Sequence, residues 1–260
     1  MDFPVSGRLV AMTLMPHAQA WTRDGDDVGV LVLHGFTGSP MAVTPWGESL
    51  SAQGWSVSVP LLPGHGTRWQ DMNNVTWVDW YDEANRALTE LRSQCSRAFV
   101  MGLSMGGSLT LRLAEERGAD ISGIVLVNPA VHSERPDRFL LPFIQAFVPS
   151  FPGISNDIAM PGQDEGAYDR MPLKAAHSLT KLWSAVKADI GRVTQPVLLF
   201  RSAQDHVVEA SNSAWILANV SSADVTEVTL ERSFHVATLD YDAPVIFDRS
   251  AEFVHRILGG

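Results

Sequence analysis

Several short stretches of the chain are apolar at consecutive positions, with no polar residue at every second place. Val28–Leu33, the Ala98-Phe99-Val100-Met101 run, residues 121–127 and residues 196–200 are of this kind. A strand buried on both faces, as in a parallel sheet, has this signature. Strands are also expected at 56–60 and Val225–Leu230. Between them the spacing changes to that of helices. Trp77, Trp80, Tyr81, Ala84, Leu88 and Leu91 mark a long helix over Trp77–Gln94, and Met105, Leu109 and Leu113 mark another. A shorter amphipathic stretch covers 45–53 and stops at Gly54, and a last helix starts near Pro244 and buries Phe247, Ala251, Val254 and Leu258. Strands alternating with helices predict an α/β fold, a mostly parallel central sheet flanked by helices. Residues up to about Asp27 read as irregular, with at most a strand or two around 9–14.

The alternation breaks between about 131 and 188. Residues 139–149 are apolar and punctuated by proline, 162–168 are polar, and 173–186 return to helical spacing. Proline favours short pieces over one long helix. The stretch reads as a small cap insertion over the sheet edge, the alternative being ordinary core helices. The expected organisation is a core over 1–130, a cap over 131–188 and the rest of the core over 189–260.

Composition narrows the function. The 260 residues suit one α/β domain with an insertion. A formal charge of −10 and the lack of a basic run argue against a nucleic-acid partner. One cysteine, Cys95, cannot form an internal disulfide, which fits a reducing, cytoplasmic setting. No apolar run approaches the roughly 18 residues of a membrane span, so stable membrane insertion is not expected. Nothing in the composition asks for more than a monomer or weak dimer.

Gly102-Leu103-Ser104-Met105-Gly106 is a G-x-S-x-G pattern between a predicted strand and a predicted helix. That context makes it a candidate nucleophile elbow, with glycines where side chains beside a sharp turn would collide. A serine hydroxyl is a weak nucleophile, so Ser104 needs a base and the base an orienting acid. In this architecture the chain order is serine, acid, histidine. Asp205 follows a buried strand, ahead of competitors Asp224, Glu227 and Asp240. His235 alone among eight histidines follows a late strand and precedes the final helix. His34 and His65 sit in glycine loops and read as structural. The backbone N–H groups of Met105 and Phe36 are the expected oxyanion donors, Phe36 lying in the loop after Val28–Leu33.

Leu33-His34-Gly35-Phe36-Thr37-Gly38-Ser39, Leu62-Pro63-Gly64-His65-Gly66, Gly102 to Gly107 and Ser233 to Asp240 together resemble the α/β-hydrolases. More narrowly they are similar to the small bacterial carboxylesterase and monoacylglycerol lipase family. The resemblance implies ester hydrolysis through an acyl-enzyme on Ser104, without metal or organic cofactor, and a cap that forms the acyl and alcohol pockets. It departs at Phe234, where glycine commonly precedes the histidine. The expected reaction is hydrolysis of short- to medium-chain acyl esters, a small-molecule substrate class that includes monoacylglycerols. Phe36, Phe143, Phe147, Val207 and Phe234 are expected at the substrate, with 139–151 as the acyl wall. The same triad could serve a lactonase, a carbon–carbon bond hydrolase, an acyltransferase or a perhydrolase. A non-catalytic ligand-binding protein on the same fold is the remaining alternative.

Overall fold

Alternate side chains of the central strands feed two separate cores, and this sets the layers. The computed structural model describes residues 13–259, with 137 and 138 by backbone alone. Its strands are β1 (Trp21–Arg23), β2 (Val28–Leu33), β3 (Ser56–Val59), β4 (Arg97–Leu103), β5 (Gly123–Val127), β6 (Ser150–Pro152), β7 (Arg170–Pro172), β8 (Val197–Ser202) and β9 (Val225–Leu230). Its helices are α1 (Thr44–Ser51), α2 (Trp69–Met72), α3 (Trp77–Gln94), α4 (Met105–Glu116), α5 (Leu141–Ile144), α6 (Leu173–Asp189), α7 (Ser211–Asn219) and α8 (Ala243–Leu258).

The main sheet runs β1-β3-β2-β4-β5-β8-β9, parallel throughout except for β1 on β3. Val30, Val32, Phe99, Met101, Val125 and Phe200 pack on one face with Trp46 and Leu50 of α1 and Ile246 and Val254 of α8. Leu31, Leu33, Val100, Leu126 and Leu199 pack on the other with Trp80 and Leu88 of α3, Leu109 and Leu113 of α4, Leu182 of α6 and Ile216 of α7. The inner strands β2, β4, β5 and β8 are therefore apolar along most of their length, because each has a core on both sides. The edge strand β9 instead alternates buried and exposed residues.

Helix α3 has the predicted limits. The Asp79 carboxylate starts it, accepting the Thr76 N–H at 2.7 Å and the Thr76 hydroxyl at 2.8 Å. The expected irregularity before Asp27 is corrected by β1, whose Trp21 pairs with Val59. The strands expected around 9–14 fall outside the described residues, apart from Thr13 and Leu14, which are in neither helix nor strand.

After β5 the chain leaves the sheet and returns at β8. The excursion holds a 3-10 turn at Pro136–Phe139, the short α5, an antiparallel ribbon of β6 and β7, and α6. Helix α6 buries Ala175, Leu179, Leu182 and Val186 in the same core as α3 and α4, so it also works as a layer helix of the sheet. Arg112 of α4 anchors it, bonding Asp189 at 2.7 Å and Glu115 at 2.9 Å, with Glu116 as third partner. Burial pushes the Glu115 carboxyl up to about 8 despite Arg112. Arg112→Met leaves that buried carboxyl without its hydrogen-bond donor and is expected to cost about 2 kcal/mol in urea unfolding. Adding Glu115→Leu should recover most of the loss. Among the described residues no helix is long and apolar enough to cross a membrane.

Candidate active site

Parallel register brings the carboxyl ends of the central strands to one edge. Leu33 pairs with Gly102, and Leu103 with Val127, which in turn pairs with Phe200. The residues that follow each strand therefore meet there, as ligand sites in open α/β sheets do.

Ser104 follows β4 directly and has φ 56° and ψ −115°, the left-handed side of backbone space for a residue that is not glycine. Such a conformation costs on the order of 1–3 kcal/mol and persists only where the surroundings impose it. Here they do. The Ser104 N–H donates to the Val127 carbonyl at 3.0 Å, while its own carbonyl accepts from Gly107 at 2.9 Å and from Ala130 at 3.3 Å. The flanking glycines make the turn possible. A Cβ at Gly102 would lie 2.2 Å from the Gly106 carbonyl oxygen, and one at Gly106 would lie 2.1 Å from that of Leu33.

His235 and Asp205 form a pair, Nδ1 to Oδ2 at 2.8 Å, both largely buried. Since the carboxylate can only accept, Nδ1 carries the hydrogen and Nε2 of the neutral ring has the lone pair. The other Asp205 oxygen accepts the N–H groups of Val207 and Val208, each at 2.8 Å, which fixes the carboxylate. Burial pulls the His235 pKa down, but the Asp205 carboxylate and its hydrogen bond, with Glu165 and Asp157 further off, outweigh it and hold the imidazole above its ordinary value. Burial likewise pushes Asp205 up, and His235 and the two amides bring it below the usual carboxylate range. A base must be neutral to accept a proton. Any kcat/KM that depends on His235 should therefore fall with decreasing pH through a midpoint above about 6.5, as a pH–rate series would show.

Ser104 and His235 line one cavity of about 230 Å³. The His34–Phe36 loop closes over Ser104: a Cβ at Gly35 would lie 3.9 Å from the Ser104 Oγ. This loop is held from behind by His34. Its Nδ1–H donates to the Gly35 carbonyl at 3.0 Å and its Nε2 accepts the Leu62 N–H at 3.2 Å. Burial lowers its pKa to about 4, so it stays neutral. His65 packs edge-on against it at 4.9 Å and bonds the Pro63 carbonyl. Met105 opens α4, where the first-turn N–H groups have no partner within the helix. Phe36 lines the same cavity as Ser104, and Met105 follows Ser104 in the chain.

A second cavity, about 160 Å³ and mostly apolar, adjoins the first; Phe36, Phe151, Met171, Leu179 and Trp183 line both. Val207 lines the larger cavity. Phe143 and Phe147 line neither, and correct the expectation placed on them: they are 72% and 88% exposed. Helix α5 turns Leu141 and Ile144 toward the smaller cavity instead. Phe234 lines neither cavity. Its N–H is held by Asp240 at 2.9 Å and its carbonyl by the Ser202 hydroxyl at 2.8 Å, and its ring packs edge-on against His206 at 4.5 Å.

The rival acids have other partners. Asp240 accepts the N–H groups of Ala159, Met160, Phe234 and Tyr241. Asp224 pairs with Arg256, and Glu227 with Arg201. Three site residues escaped the sequence reading. Asn128 donates to the His235 carbonyl at 2.8 Å and braces Ser202; its place directly after β5 was the available signal. Asp157 and Glu165 both line the larger cavity, and burial raises the Glu165 pKa. They lie in the polar middle of the excursion, where nothing local marks them.

A family model described as "Hydrolase_4: Serine aminopeptidase, S33" matches residues 27–242. The thermostable monoacylglycerol lipase of Bacillus sp. (strain H-257) is 38% identical over 249 residues, which cover 93% of this chain and 96% of that protein. The carboxylesterase of Bacillus subtilis (strain 168) is 24% identical, covering 91% and 96%. A solved structure from the metagenome-derived lipolytic enzymes LipS and LipT superposes with a TM-score of 0.91 at 36% identity, covering 94% of this chain and all of that one. The monoacylglycerol lipase of Paleococcus ferrophilus, at 18% identity and a TM-score of 0.77 over 92% of this chain and 98% of that one, shares the fold.

Proposed function

Because the chain belongs to the α/β-hydrolase family of the serine aminopeptidase S33 model and is a serine ester hydrolase, we propose that it cleaves monoacylglycerols and related short- to medium-chain esters through an acyl-enzyme on Ser104. The observation that carries this reading is His235, paired with Asp205 at 2.8 Å, on the same cavity as the strained Ser104 elbow. In this reading His235 Nε2 takes the Ser104 proton as Oγ attacks the ester carbonyl. The N–H groups of Phe36 and Met105 stabilise the oxyanion, and His235 returns the proton to the leaving alcohol. Water, deprotonated by the same imidazole, attacks the acyl carbon and frees Ser104.

The two cavities suit the two halves of such a substrate. The apolar one, walled by Leu141, Ile144 and Met171, suits an acyl chain. The larger one carries the Glu165 carboxylate, an acceptor for alcohol hydroxyls, and Asp157. In this division the excursion from 131 to the start of α6 is the cap that walls both. The relative named a monoacylglycerol lipase supports the same substrate class. Buried, unpaired Cys95 supports a reducing compartment, and the working form in this reading is a cytoplasmic monomer or weak dimer.

Initial rates on p-nitrophenyl esters of rising chain length, on monoacylglycerols and on an aminoacyl-p-nitroanilide test the proposal. Ester turnover that Ser104→Ala abolishes is the expected outcome; anilide turnover without ester turnover would assign the chain to peptides. Glu165→Leu is expected to raise KM for monoacylglycerol by about tenfold, the effect of one lost charge-assisted hydrogen bond, with p-nitrophenyl butyrate little changed.

A further inference from the structure

The catalytic histidine is held by a carboxylate that the triad does not include. Asp157 comes from the excursion between β6 and β7, not from the sheet. One of its oxygens accepts the His235 N–H at 3.0 Å and the His206 N–H at 3.3 Å; the other bonds His206 Nδ1 at 2.8 Å. The Asp157 carbonyl also accepts the Val236 N–H at 3.1 Å. Its side chain is 12% exposed and lines the cavity that holds Ser104, while that of His206 is 58% exposed. Asn156, just before it, has φ 55°, and the Ile158 N–H turns back to the Asn156 carbonyl at 2.8 Å. The bend is a left-handed turn that asparagine adopts readily.

We infer that Asp157 is a positioning residue for His235: it clamps the main chain of the base and of the residue beside the acid, with His206 as its outer brace. The inference rests on the triad reading above. Asp205 sets the rotation of the imidazole through Nδ1 but leaves its Cα unfixed. Asp157 holds the backbone from the other side, tying the loop after β8 to the loop after β9. The position of Phe234 belongs to the same device, since its ring packs on the His206 that braces the carboxylate. Attachment of the cap alone would not require the amide of the base as the acceptor's partner; Asp240 already fastens that segment through Ala159 and Met160.

The charged groups facing His235 are Asp205, Glu165 and Asp157, and the two more distant carboxylates both favour its protonated form. Geometry and charge can therefore be separated by substitution. Asp157→Ala removes both, whereas Asp157→Asn keeps an oxygen for the two amides and an NH₂ for a neutral His206.

The test measures kcat, KM and melting temperature for wild type, Asp157→Ala, Asp157→Asn and His206→Ala on p-nitrophenyl butyrate, from about pH 5 to 9. Asp157→Ala is expected to lower kcat by about tenfold or more, with KM within about twofold, because small misplacements of a catalytic group are costly. Asp157→Asn should keep most of kcat but move the acidic limb of kcat/KM to lower pH. His206→Ala should lower kcat less than Asp157→Ala and add nothing on top of it. If Asp157→Ala does not fold, the other two variants decide. Unmoved kcat and an unmoved acidic limb, or a lower melting temperature alone, would overturn the inference. A wild type that hydrolyses no ester would overturn the triad reading, and this one with it.

Discussion

Asp205→Asn is expected to lower kcat by about 10⁴-fold and to leave KM and the fold nearly unchanged. The substitution is isosteric, and the Val207 and Val208 N–H groups still find an oxygen at the position of Oδ1. What changes is the direction of one hydrogen bond. The amide NH₂ now faces His235 Nδ1, so Nδ1 must accept and the ring proton moves to Nε2. Nε2 then cannot take the Ser104 proton. The imidazolium formed during acylation also loses its counter-charge in a buried site. Steady-state kinetics with circular dichroism would check both halves. A variant within about tenfold of wild type would show that His235 does not depend on Asp205 for its tautomer.

Gly106→Ala is the second large effect, and it acts through the backbone. A methyl group there would meet the Leu33 carbonyl oxygen at 2.1 Å, the Leu33 carbonyl carbon at 2.6 Å and the His34 carbonyl oxygen at 2.9 Å. All three are main-chain atoms of the neighbouring strand and its loop, so no side chain can turn aside. Helix α4 must back away from β2, which shifts the Ser104–Met105 elbow relative to the His34–Phe36 loop and loosens that loop at once. A cost of about 3 kcal/mol is expected in urea unfolding, together with loss of measurable turnover. Ala at Gly162, where a Cβ would meet nothing within 4 Å, provides the contrast. Its positive φ costs some stability, and activity should be retained.

Much of this architecture is legible in the sequence, for definite reasons. Strands β2, β4, β5 and β8 face a core on each side, so their apolar runs are unbroken and stand out. Helix α3 has an aromatic stripe long enough to fix its limits. Ser104 and Asp205 each follow such a strand and His235 follows the edge strand β9, which is why their convergence at one sheet edge could be anticipated from order alone. The rest is missing where local pattern carries no information. Three-residue β1 is a strand only because β3 pairs with it. Helix α7 places Trp215, Ile216 and Leu217 side by side, so no helical period shows. Helix α5 has four residues, too few to reveal that Leu141 and Ile144 turn inward while Phe143 stays out. Helix α6 serves core and cavity together, which blurs a boundary drawn from apolar spacing. Asp157 reaches His235 across 78 positions, and in the sequence such a carboxylate looks like any loop aspartate.

Trapping the acyl-enzyme tests the serine mechanism most directly. Wild type and Ser104→Ala would be mixed with a monoacylglycerol or a p-nitrophenyl ester, quenched in acid during turnover and measured by intact and peptide mass spectrometry. The wild-type protein is expected to gain the mass of one acyl group on the peptide that contains Ser104, and the variant to gain none and to show no turnover. Ester turnover that persists in Ser104→Ala, with no adduct on the wild-type peptide, would contradict it.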